Sequence, residues 1–331
     1  MQMPFRHYVS SKLAILCAAL APAVAPLAAS AQAFPSQPIQ LIVPWPPGGG
    51  SDTAMRMTAD AATKRMGVPV VVVNKPGAGG TVGIKEVMSS KPDGYTLVMI
   101  ATGAIFAQYN NPNANALDEM EPVVFFGDDP SAITVNPKTG FKNLGELVAH
   151  AKANPGKLKN GNDQPGGSSH VAAAVFEKGL GIRLIKVPYA GFAPTVQALL
   201  SGEVDMASIA LPDVIEQHNA GKLRILGVAS SARHFKAPDV PTFGEQGFPV
   251  ISGLWRVIAA PKGMAPERLK MLEAKFLETL SDKEFQDRAR AAGFLVTPMG
   301  GADAKKRWDE DDRAMYPVFL EAGLVKTRQR K

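Results

Sequence analysis

Beyond Phe34 the chain alternates short β-branched runs, turns rich in glycine and proline, and amphipathic stretches of helical period. That alternation is the mark of βα units laid on a largely parallel sheet. Strands are predicted at 39–43, 68–73, 95–100, 123–126, 132–135, 184–187, 206–209, 225–229 and 257–260. Helices are predicted near 52–66, 82–89, 144–153, 169–178, 194–201 and 211–220. After Pro261 the strand signal fades and three charged helical patterns follow, at about 266–280, 282–292 and 302–321. No self-similarity at solenoid or propeller periods is visible. One short echo is: Val43-Pro44-Trp45 followed by Gly48, and Val187-Pro188-Tyr189 followed by Gly191, each end a strand and open a helix. Two such units suggest two α/β halves that share one cleft beyond the carboxyl ends of their strands.

With 331 residues, 46% hydrophobic and 20% charged, the chain has an ordinary globular balance and room for about two domains. Disorder, collagen-like repetition and a disulfide-stapled scaffold are excluded. The net charge is +6, but residues 1–33 hold Arg6 and Lys12 and no acid, which leaves +4 for the remainder. That excess is scattered, without the basic stripe and interleaved aromatics of a nucleic-acid surface, so no nucleic-acid partner is expected. The basic tail Lys326, Arg328, Arg330 and Lys331 is read as a solvated C-terminus.

Residues 1–33 read as a secretory signal peptide. Arg6 and Lys12 precede an apolar stretch from Leu13 to Ala29, and Ala31-Gln32-Ala33 supplies the small residues of a cleavage site before Phe34. Pro22 and Pro26 interrupt a run too short to span a bilayer. The only cysteine, Cys17, lies in this segment, and Leu16 before it does not suit lipoprotein processing. The exported chain is then free of cysteine, which excludes structural disulfides, thiol catalysis and Cys-ligated zinc.

Three glycine-rich loops are candidates for chemistry. Pro44 to Asp52 follows a strand and leads into a helix; Gly48, Gly49 and Gly50 let a ligand approach backbone N–H groups where the helix dipole favours negative charge. Ser51 and Asp52 are capping candidates, and for Asp52 capping is the stronger reading. Asn74 to Thr81 imitates a nucleotide fingerprint, but Val82 stands where its third glycine belongs. Pro165 to His170 offers hydroxyls that either bind a carboxylate or cap the next helix. Ser168, Ser169 and His170 also invite a serine-hydrolase reading, which requires a base within reach of the nucleophile. No metal-ligand spacing is found and no cofactor is called for. From 44 to 55, 76 to 84, 165 to 177 and 187 to 204 there is no lysine or arginine. A polyphosphate would recruit cations; a small carboxylate held by N–H groups and hydroxyls fits better, with Trp45 and Tyr189 as possible flanks.

At these residues the chain resembles the periplasmic solute-binding receptors of tripartite tricarboxylate transporters, the Bug or TctC-like family. The resemblance rests on Pro44-Trp45-Pro46-Pro47-Gly48-Gly49-Gly50-Ser51-Asp52, Asn74-Lys75-Pro76-Gly77-Ala78-Gly79-Gly80 and Pro92-Asp93-Gly94-Tyr95, then Val187-Pro188-Tyr189, Gly202-Glu203-Val204-Asp205, Ala220-Gly221-Lys222 and Pro238-Asp239-Val240-Pro241-Thr242. It implies a two-lobed periplasmic binding protein of the Venus-flytrap, type II-like kind, each lobe a mixed, mainly parallel sheet flanked by helices. Lobe 1 is expected at 34–130 plus 253–331 and lobe 2 at 131–252. It further implies a monomer in the periplasm that performs no catalysis and hands a small carboxylate ligand to membrane permease subunits of a tripartite transporter. The site residues carried over are Trp45, Pro47, Gly48, Gly49, Ser51 and Asp52 in the first loop, Ala78 and Gly79 in the second, and Thr102 after the third strand. Ser168, Ser169, His170, Gly191, Ala193 and Asp205 complete the set. Departures from the family pattern are Trp45, the stretch from Asn110 to Glu121, and Arg256 after Trp255. The rivals to this reading are a secreted serine-type hydrolase, a nucleotide-binding enzyme and a ligand sensor without a permease.

Overall fold

The computed structural model describes residues 1–2, 34–321 and 323–330, so the signal-peptide reading falls on residues 3–33, Cys17 included, that lie outside the described residues. The βα alternation is realised from the first strand. β1 (Ile39–Val43) runs into α1 (Gly50–Met66), β2 (Val70–Asn74) into α2 (Thr81–Met88), and β3 (Thr96–Ala101) into α3 (Gly103–Asn110). A 16-residue strand, β4 (Met120–Val135), follows. Next come α4 (Leu144–Ala153), β5 (Lys159–Asp163), α5 (Ser168–Leu180), β6 (Ile185–Tyr189), α6 (Phe192–Ser201), β7 (Met206–Ala210), α7 (Ile215–Asn219) and β8 (Arg224–Val228). β9 (Gly253–Pro261), α8 (Pro266–Leu280), α9 (Lys283–Ala291), β10 (Val296–Gly300) and α10 (Gly301–Glu321) close the chain.

The strands order as β2-β1-β3-β9-β4-β7-β5-β6, with β10 and β8 also pairing with β4. β1 to β3 pair in parallel, as do β5 to β7, while every pairing of β4 and β9 is antiparallel. The sheet is therefore mixed, with parallel pairs in both halves and antiparallel pairs around β4 and β9. β4 joins its two halves by changing partners: it pairs with β9 as far as Pro130, opposite Gly253, and with β7 from Ser131, opposite Ala210. One strand group thus holds β1, β2, β3, β9 and β10, the other β5, β6, β7 and β8, and β4 belongs to both.

The cores follow the two groups, except that Val171 of α5 packs into the cluster of the first. Phe106, Phe125, Trp255 and Trp308 belong to one cluster, while Phe176 with Phe243 and Leu199 with Ile209 anchor two more in the second group. These are apolar faces of amphipathic elements removed from water, worth about 1.5–3 kcal/mol for each large side chain.

The two segments predicted at 123–126 and 132–135 are one strand, because Gly127-Asp128-Asp129-Pro130 interrupts the apolar pattern without interrupting the ladder. β5 escapes prediction because Lys-Asn-Gly-Asn-Asp is polar, yet it lies between β6 and β7 and buries Asn160, Asn162 and Asp163. Its polar groups find partners inside, with Ser208 Oγ donating to Asn160 Oδ1 at 2.9 Å. α3 is hidden in an apolar run continuous with β3. The tail is tied down rather than free: Lys326 N and Thr327 N both donate to Tyr109 O, and Arg330 Nε donates to Asp312 at 2.9 Å, although Lys326 and Arg330 remain exposed.

Candidate functional site

The carboxyl ends of β1, β5 and β6 converge on one cavity lined by Trp45, Gly49, Ser51 and Asp52 from the first group and Ser168, Gly191 and Ala193 from the second. Pro46, Gly50, Asp163, Phe192, Pro194 and Leu254 complete the wall, which contains no lysine or arginine. The free space at its centre is about 20 Å³, room for roughly one water molecule.

Helix geometry explains the donors. The first N–H groups of any helix have no partner within it, and three helices start around this cavity with different solutions. α5 caps itself. Asp163 sits inside its first turn, accepting from Ser169 N at 3.3 Å and His170 N at 2.9 Å, while Asp163 N donates to Ser169 Oγ at 2.7 Å. Burial pushes the Asp163 carboxyl up to about 6, against the pull of these N–H groups. The N-cap residues of α1 and α6 are Gly49 and Gly191, which have no side chain to cap with. The N–H groups of Ser51, Asp52, Phe192 and Ala193 have no acceptor among the described residues, and all four residues line the cavity. Two helix starts, one from each strand group, therefore offer four free donors to one space.

Asp52 shapes the first loop from within. It accepts from Gly48 N at 3.0 Å, Asn74 Nδ2 at 2.9 Å and Arg56 Nε at 3.0 Å. Burial opposes ionisation, but these donors hold its carboxyl below the ordinary value. Its side chain is committed to the loop ahead of α1 and does not cap the N–H groups of the helix.

Ser168 Oγ accepts from Gly103 N, at the start of α3, at 3.1 Å. That contact joins the two strand groups, and it is close: a Cβ on Gly103 would stand 2.5 Å from Gly166 O. The Ser168 hydroxyl proton stays available to the cavity. His170 stacks on Phe106 with centroids 5.4 Å apart, and its Nδ1 has no partner. Burial drives its pKa down to about 4, so it is neutral at physiological pH. No hydrogen bond links His170 to Ser168 or Ser169, so the dyad a hydrolase needs is not assembled.

The remaining carried-over residues lie elsewhere. Pro47 and Gly48 are exposed at the rim, where Gly48 borders a neighbouring cavity with Asp213. Ala78 is exposed, and Gly79 lines an adjoining recess with Trp45 and Asp163. Thr102 is buried; its hydroxyl accepts from Trp255 N at 3.0 Å and faces a cavity beside β9 that includes neither Ser51 nor Ser168. Asp205 stands before β7, at the opposite end of the strand from the cavity, and accepts from Lys159 N at 2.8 Å. The structure does not bring it to the others.

Three charged residues behind the cavity escaped sequence reasoning. Arg256 on β9 is fully buried, donates from Nε to Ser51 Oγ at 3.2 Å and pairs through Nη1 with Asp129 on β4. Its Nη2 has no partner. The loops hold no cation, yet a guanidinium stands directly behind one of them, which no loop count reveals. Asp213, in the turn after β7, accepts from Gly50 N at 2.7 Å. Only the departure at Arg256 was a signal in the sequence.

A mixed sheet of this order, with helix starts meeting over the strand ends, defines a periplasmic binding protein. The solved structure of the periplasmic binding protein BugD superposes with a TM-score of 0.84 at 28% identity, over 89% of this chain and 100% of that one. MatC from Rhodopseudomonas palustris, solved with bound malate, gives a TM-score of 0.81 at 25% identity, over 86% and 99%. The chain belongs to the family described as the tripartite tricarboxylate transporter family receptor, whose profile matches residues 54–317. BugT of Bordetella pertussis is 34% identical over 84% of this chain and 89% of its own length. Among the described residues no helix is long and apolar enough to cross a membrane.

Proposed function

We propose that this chain captures a small organic carboxylate between two lobes, 34–130 plus 253–331 and 131–252, and presents it to the permease of a tripartite transporter. It acts in the periplasm after loss of residues 1–33, breaks no bond in its ligand and works as a monomer. The observation that carries the reading is the pair of facing helix starts: the free N–H groups of Ser51, Asp52, Phe192 and Ala193 share one cavity whose wall has no lysine or arginine. A carboxylate satisfies such donors and gains from both helix dipoles, about 0.3–2 kcal/mol each. Ser168 adds a hydroxyl donor, and Trp45 walls the space. Malate bound to MatC, a relative of the same fold, is consistent with an acid of this size.

A cavity with room for about one water admits such an acid only if its walls part, which supports capture by closure. The change of partner at Pro130 and Ser131, opposite Gly253 and Ala210, is where we place the hinge.

Mass spectrometry of whatever stays bound through gentle purification, followed by thermal melts with a panel of mono- and dicarboxylic acids, tests the function. An organic acid should be retained, and at 100 times its dissociation constant it should add about 2.7 kcal/mol of stability. Gly49→Val should weaken it at least tenfold, because a side chain there grows toward Phe192, which lines the cavity, and toward Asp213 beside it, 4.0 and 3.9 Å from the position of a Cβ. Melts unmoved by every acid, or full affinity in folded Gly49→Val, contradict the reading.

A further inference from the structure

α1 has no side-chain cap of its own, but it is capped from the turn after β7. Asp213 Oδ1 accepts from Gly50 N at 2.7 Å, and the approach is close enough that a Cβ on Gly50 would stand 2.7 Å from Asp213 Oδ2. Oδ2 is buried without a partner. The charged groups that face this carboxylate are Arg256 on β9 and Asp129 on β4. On α1, the Asp52 carboxylate is turned away to Gly48, Asn74 and Arg56. α6 contains no titratable side chain, and the α7 and post-α9 residues that share the Asp213 cavity, Gln217, Ala292 and Phe294, are neutral.

We propose that Asp213 is a positioning residue for ligand capture, reaching across the cleft to hold the first turn of α1 in place only when the two lobes are closed. The inference rests on the two-lobe reading above. Opening returns the carboxylate to water and strips Gly50 N–H of its acceptor, so the free donors of Ser51 and Asp52 are held in register only in the closed form. Closing buries the carboxylate in a cluster where two acids share one guanidinium.

Burial first, and then Asp129, push the closed-state carboxyl up to about 6, against Arg256 and the Gly50 N–H. In the open form it is solvated and titrates near the ordinary aspartate value. The closed form therefore holds its proton more tightly, and lowering the pH favours closing, by about tenfold between pH 8 and pH 5. His170 stays neutral across that window. Asp163 also titrates near 6, but its partners all lie within its own strand group.

Small-angle X-ray scattering of the ligand-free protein at pH 8 and pH 5 tests this with wild type, Asp213→Asn and Asp213→Ala. Wild type should become more compact at pH 5. Asp213→Asn should be compact at both values, since the amide oxygen still accepts from Gly50 N–H without burying charge. Asp213→Ala should be expanded at both. Compaction with falling pH that persists in Asp213→Asn overturns the role of Asp213 and leaves the two-lobe reading standing. A single radius shared by all three proteins at both pH values overturns both. Should Asp213→Ala fail to fold, as its melt would reveal, the comparison of wild type with Asp213→Asn decides alone.

Discussion

At the scale of single residues, the division of labour among hydroxyls and carboxylates follows from which N–H each one reaches. Ser168 was a candidate ligand donor or cap, and its oxygen caps α3 of the other strand group while its proton is left for the cavity. Ser168→Ala should therefore weaken ligand binding about fivefold, from a lost hydroxyl hydrogen bond of about 1 kcal/mol, and should also lower the melting temperature of the ligand-free protein, because Gly103 N–H loses its acceptor. Unchanged affinity by calorimetry would remove Ser168 from the account. Asp52, Ser169 and His170 look alike in sequence as polar residues near glycines, yet all three serve the loop or the core. What separates them is direction, and a linear pattern carries no direction. Arg256 is the opposite case: an arginine inside an apolar strand stands out, but its partners Asp129 and Ser51 lie 127 and 205 residues away.

At the scale of elements, strands with β-branched runs were legible, and α1, α2, α4 and α8 lie within two residues of their predicted ends. β5 was not, because tertiary context overrides propensity: its asparagines are buried and satisfied by neighbours such as Ser208. Its last residue, Asp163, governs α5. The raised pKa of Asp163, about 6, makes a pH-dependent prediction whose sign is definite. The folded chain binds this proton more tightly than the unfolded chain does. The stability it contributes is therefore fully present below about pH 4 and lost as pH rises through about 6. Relative to Asp163→Asn, wild type should gain about 2 kcal/mol between pH 7 and pH 4 in denaturant titrations. A gap that stays flat with pH contradicts the burial assigned to this carboxylate.

At the scale of the whole molecule, the fold was readable because the glycine loops occur in order along a chain of alternating strands and helices. The echo of Val43-Pro44-Trp45 in Val187-Pro188-Tyr189 marks the loops that open α1 and α6, the two helices whose free N–H groups meet. The charges behind the cavity were not readable, since β4, β9 and the turn after β7 meet only in three dimensions. The central claim is that a carboxylate is held by these two helix starts. The most direct measurement is a set of amide proton–nitrogen spectra recorded while the acid that co-purifies with the protein is titrated back. The largest shifts should fall on Ser51, Asp52, Phe192 and Ala193 together. If those four amides stay still while others move, the ligand binds elsewhere and the account fails.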